Sequence, residues 1–146
     1  MKKAELLKEI QTKLSEKIRN FEKLISETRA SNNDTKSSMG DKYETGREML
    51  QQEINNLQIQ LNEVLKQQDF LKTIPAKNSE KAGKGALVKT EKGLFYISVS
   101  LGEILFENQK IICISPESPL AKAMDRKKKN ESFSVNSISQ TIQKIV

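Results

Sequence analysis

The chain has 146 residues, a net charge of +6, and only 36% apolar residues with no tryptophan, which is lean for one compact core. It has no histidine and a single cysteine, so Cys/His metal clusters and histidine-based catalytic triads are excluded, and an unpaired thiol suits a reducing compartment. The charge is uneven: residues 1–74 carry 13 Lys+Arg against 12 Asp+Glu, whereas residues 75–146 carry 12 against 7.

The start, MKKAELLKEI, lacks the long apolar region of a signal peptide, and no stretch approaches the length of a membrane span. A cytoplasmic location and no membrane contact are expected. From Lys3 to Ala30 no proline or glycine interrupts a run of helix formers. Leu7, Leu14, Phe21 and Thr28 recur every seven residues, with Ile10, Lys17 and Leu24 as the interleaved series. From Lys42 to Lys72 the pattern returns, with Tyr43, Leu50, Leu57, Val64 and Leu71 in one series and Arg47, Ile54, Leu61 and Gln68 in the other. Leu7 with Val64, Ile10 with Leu61, Leu14 with Leu57, Phe21 with Leu50 and Thr28 with Tyr43 all have position numbers summing to 71. A constant sum marks a chain folded back on itself, here between Thr35 and Lys36, inside the polar break from Ser31 to Gly40. The expectation is an antiparallel helical hairpin over residues 1–74, monomeric, with its tip near 31–41 and arms of roughly 40 Å.

Residues 75–85 read as a linker. Beyond it, residues 86–146 change period. Ala86–Thr90, Leu94–Val99, Glu103–Phe106 and Lys110–Ser115 are short β-prone runs separated by turns at Glu91-Lys92-Gly93 and Glu107-Asn108. Ser118 caps a short helix with Pro119 at its first position, running from Leu120 to about Arg126. Phe133–Val135 and Ile138–Val146 complete the domain. The fold class is α+β: a helical hairpin, then a small antiparallel sheet crossed by one helix. Cys113 sits in the apolar run Lys110–Ile114 and reads as core. Arg126-Lys127-Lys128-Lys129 is the densest basic cluster, either a solvated helix end or a docking contact for an acidic protein or RNA.

The stretch Ile114-Ser115-Pro116-Glu117-Ser118-Pro119-Leu120-Ala121-Lys122-Ala123-Met124 resembles a conserved-pattern segment of the bacterial Gre transcript-cleavage factors, I-S-x-x-S-P-[I/L]-[A/G]-[K/R]-A-[L/M]. The family continues with an apolar residue, glycine and lysine, then glycine and an acid. Asp125-Arg126-Lys127 and Asn130-Glu131 hold those places here, with both glycines replaced. The plan of hairpin, linker and sheet covers nearly the whole chain, and residue-level similarity covers about 111–135. The resemblance implies an FKBP-like sheet domain that docks on RNA polymerase, through Ser118, Pro119, Lys122, Arg126, Lys127 and Lys128. It also implies a hairpin inserted in the polymerase's secondary channel. The factor would be no enzyme and hold no cofactor of its own. Acids at the tip would share a transient Mg²⁺ with the polymerase, which cleaves its own backtracked RNA, with indirect contact to that RNA.

The family's tip reads G-D-x-x-E-N, followed by A-E-Y and, three residues on, Arg-Glu. Gly40-Asp41-Lys42-Tyr43-Glu44-Thr45 matches the first part and assigns the acids to Asp41 and Glu44, with Asp34 as a third candidate. Aligning on Tyr43 and Arg47-Glu48 instead puts Lys36 and Met39 at those places. Ser38 to Asp41 also has the spacing of a capping box, so Asp41 and Glu44 equally suit the start of a helix. Other readings are a channel-binding regulator without cleavage activity and a coiled-coil adaptor or chaperone-like module. A prolyl isomerase ranks last, because Phe95, Tyr96, Phe106 and Phe133 are the only aromatics after the linker. Direct nucleic-acid binding by the basic half stays open.

Overall fold

The computed structural model describes residues 3–35 and 44–146. Two helices, α1 (Lys3–Thr35) and α2 (Glu44–Leu71), precede six strands and one short helix. The chain divides into two compact units, one of residues 11–69 and one of residues 1–10 with 70–146.

The first unit is the helical hairpin. Ser15 on α1 and Gln68 on α2 lie about equally far from the connection between the helices, yet Gln68 Nε2 donates to Ser15 Oγ at 3.4 Å. Two rods joined within eight residues can meet there only by running antiparallel. The buried stripe on α1 is Leu14, Ile18 and Ile25, and on α2 it is Ile54, Leu61 and Val64, with Leu50, Leu57 and Gln68 partly buried. Both series expected for α2 are therefore on the seam.

On α1 the interleaved series is corrected by one residue. Lys17 and Leu24 face solvent, Leu24 at 46% exposure, and Ile18 and Ile25 take their places. The true spacing alternates four and three, so the stripe holds isoleucine where the expected one held lysine. The register is corrected too. Positions 15 and 68 sum to 83 rather than 71, which slides the expected partners by about three helical turns. Leu14 does not lie opposite Leu57. Apolar stripes that recur along both helices can be matched at several offsets, so apolar periodicity could not choose the register. Residues 31–35, expected in the turn, continue α1.

The second unit contains the sheet: β1 (Leu87–Thr90), β2 (Gly93–Ile97), β3 (Gly102–Phe106), β4 (Gln109–Ile114), α3 (Pro119–Met124), β5 (Ser132–Val135) and β6 (Ile138–Ile145). The strand order is β3-β4-β2-β1-β6-β5. All neighbours are antiparallel except β2 and β4, which run parallel with Tyr96 opposite Cys113. The apolar run of β4 suits a central strand covered on both faces, whereas β3 exposes Glu103 and Leu105 and takes the edge. Two-residue turns at Glu107-Asn108 and Asn136-Ser137 have left-handed φ at both positions, the twist that closes a hairpin.

One face of the sheet carries Val88, Phe95, Ile97 and Ile142 against Ala121 and Met124 of α3 and Phe133 of β5. The alternate positions Leu87, Tyr96, Ile111 and Cys113 are buried on the other face, and the same unit buries Leu6, Ile10, Leu71 and Ile74. Lys3 is also buried. Its ammonium donates to the main-chain oxygens of Lys77 and Val146, and burial lowers its pKa.

The segment expected as a linker is built into this unit at its second half. Ala82 exchanges hydrogen bonds with Lys127 and Arg126, both at 2.8 Å, and Gly85 N–H donates to Ile97 O. Gly85 has φ +86, and a Cβ there would lie 3.1 Å from Pro75, so glycine is needed on both counts.

The Tyr96 hydroxyl is buried and finds no hydrogen-bond partner among the described residues. Desolvation, and secondarily the charge of Cys113, pushes its pKa up to about 12. An unfolded tyrosine ionises near 10, so the unfolded chain loses this proton first. The contribution to stability is whole below pH 10 and drains as pH rises towards 12, at about 1.4 kcal/mol per pH unit. Tyr96→Phe is expected to remove that component of the alkaline loss. It should also raise stability at pH 7 by about 1 kcal/mol, because an unpaired buried hydroxyl is lost. Urea midpoints of both proteins from pH 7 to 12 check this.

Candidate functional site on the α3 shoulder

The residues assigned to docking fall on one continuous segment, α3 and the loop to β5. Ser118 is extended, with φ −65° and ψ 150°, and its Oγ accepts from Ala121 N–H at 3.1 Å. The hydroxyl is thus committed to capping, and Pro119 fills the first helical position, where no N–H is needed. Ala121 and Met124 point into the core, which turns Lys122 outward. Lys122 Nζ lies 3.8 Å from Glu117, but both side chains are mostly exposed, so the pair contributes little and leaves the lysine free to re-pair.

After α3 the chain turns sharply. Arg126 has φ +65° and Asn130 has φ +73°. These are the two positions where the Gre pattern has glycine. Glycine is the residue that such a backbone favours. Arg126 is the second residue after α3, and its left-handed backbone matches the usual glycine stop of a helix. Its N–H donates to Ala82 O, and Asn130 N–H donates to Ile142 O at 2.7 Å, so both residues are held by the sheet domain. Asparagine tolerates this conformation, but arginine is strained by it. Arg126→Gly is expected to stabilise the protein by about 0.5–1 kcal/mol, and Asn130→Gly by less, read as shifts in the urea midpoint.

Glu131 closes the loop: its Oε1 accepts from Lys128 N–H at 2.9 Å, and its own N–H donates to Lys128 O. Lys127 is half-buried, whereas Arg126, Lys128 and Lys129 are exposed. Lys81 joins them through a β-bridge to Lys128. It was missed in the sequence because it sits in an apparent linker, 47 positions earlier, and only the pairing of Ala82 with the loop brings it there.

Asp34 stands in the last turn of α1 and Glu44 is the first residue of α2. Asp41 and the capping box from Ser38 lie outside the described residues. Among the described residues no group of acids, cysteines or histidines could hold a metal. Nor, among the described residues, is any helix long and apolar enough to cross a membrane.

No family model and no curated protein matches the chain. Solved structures similar to it include two of Gfh1. A crystal structure of GreA factor homolog 1 (Gfh1) of Thermus thermophilus aligns at 16% identity and a TM-score of 0.38, covering 93% of this chain and 94% of that one. A structure of the transcription factor Gfh1 aligns at 17% identity and a TM-score of 0.38, covering 91% and 89%. At these scores the functional reading stands on this chain's own residues.

Proposed function

We propose that this protein is a Gre-type elongation factor that binds RNA polymerase through its secondary channel and modulates elongation, stimulating cleavage of backtracked RNA. The observation that carries the reading is the coincidence of left-handed backbone at Arg126 and Asn130 with the two glycine positions of the Gre pattern. Residue types at those places depart from the pattern, while the backbone is of the kind glycine favours. The hairpin and the capped α3 behind Ser118-Pro119 support the same plan.

In this reading the sheet domain docks through Lys122, Arg126 and Lys128, whose exposed charges suit an acidic protein surface. The hairpin brings Asp41 and Glu44 to the polymerase's active site. Mg²⁺ takes oxygen ligands and keeps several waters, so two carboxylates suffice to help hold it, and a second metal can activate water and steady the leaving oxygen. The protein supplies ligands and the polymerase performs the hydrolysis.

Retention by bacterial RNA polymerase, followed by RNA cleavage in stalled complexes, tests this. Lys122→Glu with Lys128→Glu is expected to weaken retention at least tenfold. Asp41→Ala with Glu44→Ala is expected to keep retention and lower stimulated cleavage at least tenfold, about 1.4 kcal/mol. Retention with no stimulation by the wild-type chain would make it a channel-binding regulator. A second reading, a protein-gripping adaptor, is favoured by the exposed Leu24, Met49, Ile59 and Leu65 on the two helices. It predicts self-association in sedimentation and no retention by polymerase.

A further inference from the structure

Away from α3, the sheet unit has a concave site of about 740 Å³ formed by β1, its turn into β2, the start of β4 and the end of β6. Four lysines line it: Lys89, Lys92, Lys110 and Lys144. The Lys110 ammonium lies 3.6 Å from Glu103 in a mostly exposed pair. Lys89 and Lys144 are different. They are direct partners across β1 and β6, so both side chains leave the same face of the sheet side by side. Both are exposed, and neither has an acidic partner among the described residues. The single acidic side chain of the lining is Glu91, and both of its carboxylate oxygens already accept from Thr141 N–H, at 3.0 and 2.9 Å.

Like charges directly opposite on a sheet work against the fold. Here a third lysine, Lys92, stands on the adjoining turn, and the carboxamides of Gln109 and Gln143 line the same hollow. The lining has no aromatic ring on which a base could stack. Lysine ammonium groups act as point charges for phosphate oxygens, and the amide donors can add hydrogen bonds. The volume is that of a small-molecule site, whereas a nucleic-acid duplex needs an extended surface.

We propose that Lys89, Lys92 and Lys144 form a binding site for a small condensed-phosphate anion, a di- or triphosphate group. The phosphate chain bridges the Lys89–Lys144 pair, and its charge relieves their mutual repulsion. The group comes either as inorganic polyphosphate or as the phosphate tail of a nucleotide. This site is separate from the α3 shoulder and does not depend on polymerase binding.

Isothermal titration calorimetry of the full chain with sodium tripolyphosphate and with a nucleoside triphosphate tests it. Saturable binding that weakens with salt is expected, together with a ligand-dependent rise in Tm. Lys89→Gln with Lys144→Gln is expected to lose at least tenfold in affinity while its own Tm is unchanged or higher, which separates lost binding from lost folding. Lys127→Gln with Lys128→Gln is expected to bind as the wild type does. Equal affinity for the two ligands assigns the site to the phosphate chain alone, and tighter nucleotide binding assigns it to nucleotides. Absence of binding, equal loss in both double variants, or equal affinity for sulfate overturns the proposal.

Discussion

Replacing Ile25 by aspartate is expected to cost at least about 3 kcal/mol, whereas the same change one residue earlier, at Leu24, stays within about 0.5 kcal/mol. The two side chains are both aliphatic and adjacent, so composition and helix propensity cannot separate them. Their positions on the hairpin can. Ile25 is 5% exposed on the seam, and Leu24 is 46% exposed. An aspartate at 25 would either bury a charge without a partner or take up a proton and still leave its oxygens unpaired. The hairpin resists poorly, because its apolar stripe is narrow: Leu14, Ile18, Ile25, Ile54, Leu61 and Val64 are its buried apolar side chains among the described residues. Far-UV circular dichroism and trypsin susceptibility of residues 11–69 read the result. Similar losses at both positions would return the seam to the series through Leu24 and contradict the observed burial.

Met124→Ala is expected to destabilise the protein by about 3 kcal/mol, against about 0.5 kcal/mol or less for Lys122→Ala on the same helix. Helix α3 has six residues and cannot persist by hydrogen bonding alone. It stands because Ser118 and Pro119 start it and because Met124, fully buried with Ala121, seats it on Val88, Phe95, Ile97, Phe133 and Ile142. Truncating Met124 leaves a cavity that a short helix cannot refill without leaving its cap. Thermal or urea unfolding measures the difference. The contrast also protects the functional test. A variant at Met124 that loses polymerase has lost the shoulder's support, whereas a Lys122 variant with unchanged stability has lost a contact.

The amino-acid order alone determined the division into helices and strands. The spacing of Arg47 to Leu71 placed α2 on its correct face, and Ser118-Pro119 marked the start of α3, because caps, proline and apolar period act within a few residues. The burial of Cys113 was legible from its neighbours for the same reason. Even the stripe of α1 carried a usable signal: a series through Ile18 and Ile25 needs no lysine in the seam, and one through Lys17 does. Tertiary structure alone decided the rest. It set the hairpin register, marked by Ser15 and Gln68, because recurring apolar stripes can be matched at several offsets. It placed β4 parallel to β2, because local turns specify hairpin neighbours but not which strand enters between them. It also paired Lys89 with Lys144 and brought Lys81 to Lys128, joining residues 55 and 47 positions apart. The glycine-type turn at Arg126 belongs to this second class: its side chain argues against a left-handed backbone, and the hydrogen bond to Ala82 holds it there, whereas asparagine at 130 adopts one readily.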